Sequence, residues 1–247
     1  MSKWVEGTVV AQKHWAGRLY SLQVDADLAS FKAGQFTKLA LGVDGEMVER
    51  PYSFVNAPTE RPYEFYYVML PDHPLTPRLA RLEAGDSIFL APRANGYLIL
   101  EEVPAGAHLW LLSTGTALGP FLSILGTEAP WRRFERVVLV HAVRRVEELN
   151  YQERIAALQQ RYPGQFSFIP MVSREHCEFA LDGRIPGAIE DRRLEAKAGI
   201  DLQARDSRVM ICGNPAMVGD TVHALERRGL KKHRRRDPGQ INVENYW

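Results

Sequence analysis

The chain has 247 residues, of which 45% are hydrophobic and 25% are charged, and its formal net charge is +1. Two compact domains of ordinary globular composition fit this length. The balanced charge excludes a globally basic nucleic-acid binder, and no apolar run approaches the roughly 20 residues of a membrane-spanning helix. We therefore expect neither a nucleic-acid partner nor a membrane partner.

The cysteines bear on metal binding and on the cellular compartment. Cys177 and Cys212 are far apart and have no Cys or His neighbours at metal-ligand spacing. This excludes a four-cysteine zinc or iron–sulfur site built by the chain alone, and we expect no metal centre. The chain also has no disulfide framework and no apolar signal segment at its N-terminus, which favours the cytoplasm.

Up to about residue 103 the sequence consists of short apolar runs separated by turns. Alternation and aromatic content predict strands at residues 20–24, 36–41, 64–70 and 87–91. Asp44-Gly45 predicts a hairpin turn, because glycine tolerates positive φ. One short helix is expected at residues 76–82, with Thr76 as its N-cap and Pro77 at its first position. This series predicts an antiparallel sandwich or barrel.

After residue 105 continuous apolar runs alternate with helical patterns. The runs at residues 109–112, 137–140, 166–172 and 209–211 are typical of parallel strands buried on both faces. Helices are expected at residues 149–162 and 214–228, the second with Asn214 as N-cap and Pro215 in first position. The alternation predicts a doubly wound parallel sheet. We expect domains at residues 1–103 and 104–247, with a hinge at residues 104–107.

A glycine-containing turn, residues 113–120, follows the first predicted parallel strand and opens a helix. Backbone N–H groups at such a turn, together with the helix dipole, suit a pyrophosphate. The turn contains Gly115 and Gly119 but does not match the dinucleotide fingerprint G-x-G-x-x-G. A tight turn that serves only packing is the alternative.

The ends of the next two strands carry cations where an NAD site carries a carboxylate. Arg144 follows the second strand, and no carboxylate appears there before Glu147. Ser173 and Arg174 follow the third strand, and Arg184 comes ten residues later. Because guanidinium groups bind phosphate in a bidentate manner, these residues predict a 2′-phosphate pocket and NADP(H). For any one of the arginines taken alone, a solvated surface residue is the favoured explanation.

The first half contains a matching segment, Arg50-Pro51-Tyr52-Ser53-Phe54. On a strand, Arg50, Tyr52 and Phe54 share one face. An aromatic ring can stack on a flavin, a hydroxyl can reach a ring nitrogen, and an arginine can hold a phosphate. The same pattern also describes an ordinary amphipathic strand.

Together and in this order, these segments resemble the ferredoxin–NADP(+) reductase family. The Arg-x-Tyr-Ser segment, the Thr114-Gly115-Thr116 turn and Cys212-Gly213-Asn214-Pro215 carry the resemblance, which extends over residues 4–247. It is strongest to bacterial members that end in Tyr-Trp. The resemblance implies an N-terminal antiparallel β-barrel that binds FAD and a C-terminal α/β doubly wound parallel sheet that binds NADP(H). It also implies an enzyme that passes reducing equivalents from NADPH through FAD to flavodoxin or ferredoxin.

The resemblance implies cofactor contacts in both halves of the chain. On the FAD side, Arg50 would contact the pyrophosphate, Tyr52 would stack on the isoalloxazine, and Ser53 would hydrogen-bond near N5. On the NADP(H) side, Thr116 would lie at the diphosphate and nicotinamide end. The full set of implied cofactor-binding residues is Arg50, Tyr52, Ser53, Phe54, Tyr66, Val68, Thr76, Thr116, Arg144, Ser173, Arg174, Arg184, Tyr246 and Trp247.

The C-terminal residues also match the family. Tyr246 would cover the flavin face where the nicotinamide docks, and Trp247 would stack on the adenine or beside it. Cys212 would lie beside the nicotinamide, and Glu244 would assist proton transfer. The residues expected to take part in catalysis are thus Ser53, Cys212, Glu244 and Tyr246.

The basic run at residues 231–236 suggests how an acidic carrier protein would dock. A solvated loop is the competing interpretation of such a charge run. Two other functions remain open: an NADPH-dependent flavin reductase or diaphorase, and an NADP(H) redox sensor without turnover. No apolar interface stripe is present in the sequence, so we expect a monomer.

Overall fold

The computed structural model describes residues 3–246, which form two six-stranded sheets, one in each half of the chain. The first sheet is antiparallel, with the strand order β4-β3-β6-β1-β2-β5. Its strands are β1 (Val5–His14), β2 (Leu19–Asp25), β3 (Phe36–Val43), β4 (Glu46–Ser53), β5 (Tyr63–Val68) and β6 (Ser87–Leu90).

The first sheet closes on itself as a barrel. Just after β4, Phe54 bridges to Phe65 in β5, and the Val55 N–H donates to the Glu64 carbonyl oxygen at 2.9 Å. Inside the barrel the Phe54 ring stacks on Phe31 with the ring centroids 3.9 Å apart. The predicted hairpin turn is confirmed: Asp44 and Gly45 have φ of 51° and 86°, and Val43 pairs with Glu46 across it.

The second sheet is parallel, in the order β10-β9-β8-β7-β11-β12. Its strands are β7 (His108–Thr114), β8 (Arg136–Val143), β9 (Phe166–Val172), β10 (Leu181–Asp182), β11 (Ser207–Gly213) and β12 (Ile241–Asn245). The helices of the chain are α1 (Thr76–Leu79), α2 (Leu118–Leu125), α3 (Ala129–Arg133), α4 (Gln152–Arg161), α5 (Ile185–Glu190), α6 (Arg193–Ala198) and α7 (Pro215–Glu226). The predicted fold class, an antiparallel barrel followed by an α/β parallel sheet, is confirmed.

Two predicted helices differ from the structure at their ends. Helix α4 begins only at Gln152, because the preceding Tyr151 has φ 61° and lies outside the helical region. The helix expected at residues 76–82 spans only Thr76–Leu79, and its N-cap position is Leu75 rather than Thr76. Helix α7 begins as predicted, since the Asn214 side chain accepts from the Ala216 N–H at 3.0 Å.

The two sheets share one buried cluster, so the halves are packed against each other. Barrel residues such as Val55 and Tyr66 lie in the same cluster as Leu118 and Phe121 of the second half. At this interface the buried Ser123 hydroxyl donates to the Asn56 carbonyl oxygen at 2.8 Å. Residues 91–107 lie between the last strand of the first sheet and the first strand of the second, and the domain boundary after residue 103 stays a prediction. None of the helices in residues 3–246 has the length and apolar character needed to cross a membrane.

Candidate functional site

The C-terminal strand joins the parallel sheet to the barrel. Strand β12 pairs with β11 so that Glu244 lies opposite Cys212 and Asn245 opposite Gly213. The Tyr246 N–H donates to the Gly213 carbonyl oxygen at 2.7 Å, and the Tyr246 hydroxyl donates to Ser53 Oγ at the end of β4. The structure therefore brings together all four residues predicted for catalysis.

This cluster is largely withdrawn from water, and its acid groups are shifted accordingly. Burial raises the pKa of the Cys212 thiol well above its usual value, and the Glu244 charge raises it further. Burial likewise raises the pKa of the Tyr246 phenol. At neutral pH both groups are protonated and uncharged.

Glu244 is the member of the cluster that titrates near neutrality. Burial raises the pKa of its carboxyl from 4.5 to about 7. Its Oε2 atom is buried without a hydrogen-bond partner among residues 3–246. The carboxyl group is thus poised to bind or release a proton near pH 7.

Gly213 allows the ends of β7 and β11 to approach closely. Its φ is 154°, and a Cβ atom at this position would collide with Thr114 Oγ1 and the Met217 methyl group. Thr114 leads directly into the predicted anion-binding turn. Glycine is therefore required here by the close contact between two strand ends.

The turn after β7 is held in place by a buried histidine. Gly115 adopts φ 53°, and the following residues form a short 3₁₀ turn that contains Thr116. The fully buried His141 donates from Nε2 to the Gly115 carbonyl oxygen at 3.0 Å. Burial lowers the pKa of His141 to about 4, so the ring is neutral at physiological pH. His141 was not predicted from the sequence as a site residue. The signal that could have identified it is a single titratable residue within an otherwise apolar strand.

Backbone hydrogen bonds hold together the segments that carry the predicted phosphate ligands. The Arg174 N–H donates to the Arg144 carbonyl oxygen at 3.0 Å, and the Ser173 N–H donates to the Val143 carbonyl oxygen at 3.1 Å. The Gly183 N–H, one residue before Arg184, donates to the Val172 carbonyl oxygen at 2.9 Å. All four predicted residues thus meet at the carboxyl edge of the parallel sheet.

The three arginines at this edge are exposed and unpaired. The side chains of Arg144, Arg174 and Arg184 make no hydrogen bond or ion pair with any other described residue. The neighbouring Arg145, in contrast, lies 3.7 Å from the Glu175 carboxylate. Three guanidinium groups without internal partners, at the ends of neighbouring strands, suit a multiply charged anion.

The barrel residues predicted to bind a cofactor differ in their accessibility. Arg50 is exposed, and Tyr52 is half-buried with its ring edge-to-face against Tyr67 at 6.0 Å. Ser53 is buried beneath Tyr246. The Phe54 side chain is only 1% exposed and packs inside the barrel, so it is not available for the cofactor contact predicted for it.

On β5, Tyr66 and Val68 face the interface between the two halves. Tyr66 is buried, and its hydroxyl accepts from Asn150 Nδ2 at 2.7 Å. Val68 is half-buried and packs against the shared cluster. Both therefore lie at the contact between the barrel and the parallel sheet.

The predicted role of Thr76 as a helix cap is wrong, whereas its contact with a pyrophosphate stays a prediction. Its hydroxyl accepts from the Leu70 N–H at 2.9 Å and donates to the Leu70 carbonyl oxygen at 3.1 Å. The N–H groups of Leu75 and Thr76 donate to His73 Nδ1, and Pro77 has no N–H. The first turn of α1 therefore has no free backbone N–H for an anion. Trp247, also predicted to contact a cofactor, lies outside the described residues.

Comparisons with known proteins agree with this arrangement. The family model described as oxidoreductase NAD-binding domain matches residues 111–223, which lie in the half with the parallel sheet. The flavodoxin/ferredoxin–NADP reductase of Escherichia coli is 46% identical over 248 residues, covering 100% of both chains. The ferredoxin–NADP reductase of Pseudomonas aeruginosa is 35% identical and covers 99% of this chain and 98% of that one.

A solved structure is also similar over its whole length. The crystal structure of a ferredoxin NADP+ reductase from Neisseria gonorrhoeae, with bound FAD and NADP, has a TM-score of 0.95 and 35% identity and covers 100% of both chains. The fold and site thus define a two-domain, nucleotide-dependent oxidoreductase. The chain belongs to the flavodoxin/ferredoxin–NADP reductase family.

The raised pKa of Glu244 predicts a pH-dependent stability. Folding favours the protonated carboxyl, so its stabilising effect is complete below about pH 4.5 and is lost as the pH rises to about 7. Relative to Glu244→Gln, the free energy of unfolding of the wild type should fall by at most about 3 kcal/mol across this interval and then stay level. Urea unfolding of both proteins at a series of pH values measures this. A difference that does not change with pH would contradict it.

Proposed function

We propose that this protein is an FAD-containing reductase that exchanges electrons between NADP(H) and flavodoxin or ferredoxin. The observation that carries this proposal is the group of three unpaired arginines at the ends of consecutive strands, with Ser173 beside them. The names of the relatives and the FAD and NADP in the similar Neisseria structure support it.

Residues along the carboxyl edge of the parallel sheet suit the successive parts of NADP(H), from the 2′-phosphate to the nicotinamide. Arg144, Arg174 and Arg184 would bind the 2′-phosphate, which NADH lacks. The turn at Gly115 and Thr116 would hold the diphosphate. The His141 ring holds the Gly115 carbonyl group in place and, being neutral, adds no charge to the turn. The nicotinamide would then lie near Cys212, at the end of β11.

The barrel edge fits a flavin. Tyr52 offers a partly exposed ring for stacking, Ser53 offers a hydroxyl, and Arg50 offers an exposed cation for the pyrophosphate. Tyr66 and Val68 line the adjoining interface. When bound, FAD supplies the two-electron exchange with NADPH and the one-electron exchange with the carrier.

Tyr246 controls access to the cluster. Its hydroxyl is bonded to Ser53, and its ring packs against the buried cluster between the halves. For a nicotinamide ring to reach the flavin beside Ser53, Tyr246 must move aside. Departure of Tyr246 and binding of NADPH are therefore coupled, because the tyrosine ring and the nicotinamide ring would need the same space beside Ser53.

Glu244 would supply the proton-transfer group. Its carboxyl, with a pKa of about 7, can take up or release a proton at Oε2 near neutral pH. The Cys212 thiol and Tyr246 phenol stay protonated and keep the surroundings of the nicotinamide uncharged. We propose that Cys212 orients the ring while Glu244 exchanges the proton, after Tyr246 has moved aside.

The absorption spectrum of the purified protein tests both the flavin and the nucleotide preference. We expect NADPH to bleach the flavin band at much lower concentration than NADH. Arg174→Ala should raise the KM for NADPH by about 10- to 100-fold and leave the KM for NADH nearly unchanged, because it removes one charge-assisted contact.

Arg132→Ala is the matched control. Arg132 is exposed and lies in α3, before β8 and thus at the opposite edge of the sheet. Equal responses of the wild type to NADPH and NADH would overturn the arginine pocket. If neither nucleotide bleaches the flavin band, the proposed enzyme activity is wrong, and the alternative of a redox sensor without turnover is favoured.

The basic segment at residues 231–236 is proposed to dock the acidic carrier, and its cations differ in availability. Lys231 pairs with Asp237, and Arg235 makes a bidentate pair with Glu102 at 2.7 and 3.2 Å. The side chains of Lys232, Arg234 and Arg236 make no ion pair with other described residues. These three are therefore the charges that a carrier can meet without breaking an internal contact.

Charge reversal at Arg234 and Arg236 should slow carrier reduction by about tenfold or more at low salt and flatten its salt dependence. The rate with ferricyanide, a small acceptor, should not change. Arg81→Glu, an exposed substitution after α1, controls for total charge. Unchanged rate and salt dependence with flavodoxin would contradict docking here, and equal efficiency with free FMN would favour a flavin reductase.

We further propose that the protein works as a cytoplasmic monomer without nucleic acid. The net charge of +1 and two free, buried cysteines support this. Size-exclusion chromatography with light scattering should give the mass of one chain, with or without added duplex DNA, and cell fractionation should recover the protein with cytoplasmic markers. A dimer mass would contradict the monomer, co-elution with DNA would contradict the absence of a nucleic-acid partner, and recovery outside the cytoplasm would contradict the location.

A further inference from the structure

The carboxyl group of Glu244 lies against the segment that follows the last barrel strand. Gly96 in this segment adopts φ 110°, and a Cβ atom there would lie 3.3 Å from Glu244 Oε1 and 3.1 Å from the Phe36 ring. The Gly96 backbone is therefore in direct contact with the carboxyl group. We call residues 96–102 the cover segment, because they run from this contact to the end of the short 3₁₀ helix Leu100–Glu102.

The beginning of the cover segment is fixed by the barrel. Asn95 and Phe36 exchange backbone hydrogen bonds of 2.8 and 2.9 Å, and Gln35 Nε2 donates to the Gly96 carbonyl oxygen at 3.3 Å. Leu98 is buried in the cluster shared by the two halves. The backbone beside Glu244 is thus held in place on the barrel side.

The other contacts of the cover segment come from a single side chain of the basic run. Arg235 pairs with Glu102, with Nη2 2.7 Å from Oε1 and Nε 3.2 Å from Oε2. The same guanidinium group lies over the Tyr97 ring, 4.6 Å from its centre. Tyr97 is 69% exposed, so Arg235 covers a ring that the core does not hold. Arg235 therefore binds both the first and the last side chain of the cover segment.

The end of the cover segment is also tied to the strand that carries Glu244. Asn242 Nδ2 donates to the Glu102 carbonyl oxygen at 3.1 Å. Asn242 lies two residues before Glu244 on β12, so the two side chains share one face of the strand. Arg235 thus completes a ring of contacts that runs from Glu244 through Gly96 and Glu102 back to β12.

We propose that Arg235 is a positioning residue that holds the cover segment closed over Glu244 and keeps its carboxyl group out of water. The inference rests on the proposed function, in which Glu244 exchanges the proton of the reaction. Burial is what raises the pKa of this carboxyl to about 7. An opened cover segment would let water solvate the carboxylate, which would then no longer hold a proton near neutral pH.

The other ionisable groups near Glu244 do not account for its protonation. The Cys212 thiol and the Tyr246 phenol have raised pKa values and are uncharged near pH 7. On the cover segment, Glu101 is paired with Lys32 at 3.0 Å. The water content around the carboxyl is therefore the property that the cover segment controls.

Charge and hydration predict opposite effects of removing Arg235. Loss of a cation that leaves Glu102 unpaired would, by charge alone, raise the pKa of Glu244. Entry of water would lower it toward its ordinary value of 4.5. The direction of the shift therefore shows whether Arg235 acts through the cover segment.

Carbon-13 NMR of the FAD-loaded enzyme, labelled at the glutamate carboxyl carbons, measures this directly. The Glu244 signal is the one that disappears in Glu244→Gln, and in the wild type it should titrate with a midpoint near pH 7. Arg235→Gln should lower the midpoint by about one pH unit or more. Arg235→Lys keeps the charge but not the bidentate fork, so its midpoint should lie between the two.

Arg205→Gln is the matched control. Arg205 also forms an exposed ion pair, with Asp206 at 3.1 Å, but it precedes β11 and thus lies at the opposite edge of the parallel sheet. Exposed ion pairs contribute little to overall stability, so both glutamine variants should fold. The control should leave the Glu244 midpoint unchanged.

Stopped-flow reduction of the flavin by NADPH at a series of pH values gives the second measurement. The pH dependence of the rate should move with the NMR midpoint in Arg235→Gln. An unchanged or raised midpoint in this variant, or an equal fall in Arg205→Gln, would overturn the role of Arg235 and leave the proposed function intact. A lowered midpoint with an unchanged rate profile would support the cover segment and contradict the proton-transfer role proposed for Glu244.

Discussion

Parallel hydrogen bonding from β10 across to β12 is the constraint on which the site depends. In a parallel sheet all strands end at one edge, so residues distant in sequence meet there. Arg144, Arg174 and the Cys212 region arrive at that edge from β8, β9 and β11. The last strand, β12, places Glu244 opposite Cys212 and carries the chain back to Ser53 of the barrel.

This geometry gives the two ends of the site opposite electrostatic characters. At one end, three exposed arginines have no carboxylate partner among residues 3–246, which suits the phosphate that we propose they bind. At the other end, burial keeps Cys212 and Tyr246 protonated and brings the pKa of Glu244 to about 7. In the function that we propose, nucleotide recognition relies on charge, while the surroundings of the reaction centre are kept nearly neutral.

The shared core explains how the barrel and the parallel sheet act as one enzyme. Tyr66 of the barrel packs in the same cluster as Phe121 of the second half, and Asn150 donates to the Tyr66 hydroxyl. Tyr246 packs against that cluster from the C-terminal side. A cofactor between the halves would thus contact surfaces that are already fixed relative to each other.

The sequence predicted the two-part fold and the strand ends that carry most of the candidate site residues, because these follow from local patterns. Strand and helix periods appear within a few residues, and the Asp44-Gly45 turn and the Asn214 cap depend on neighbours along the chain. The arginines could be located in the same way, since each follows a recognisable strand.

The sequence alone determined which elements form and which chemical groups stand at their ends, whereas the tertiary structure decided which of those groups are free to act. Phe54 packs in the core and cannot contact a cofactor, because the barrel closes where Phe54 bridges to Phe65. The Thr76 hydroxyl is already hydrogen-bonded to the backbone of Leu70. Within the basic run, Arg235 is held by Glu102, 133 residues away. Burial and pairing of this kind depend on contacts between distant residues, and no local pattern specifies them.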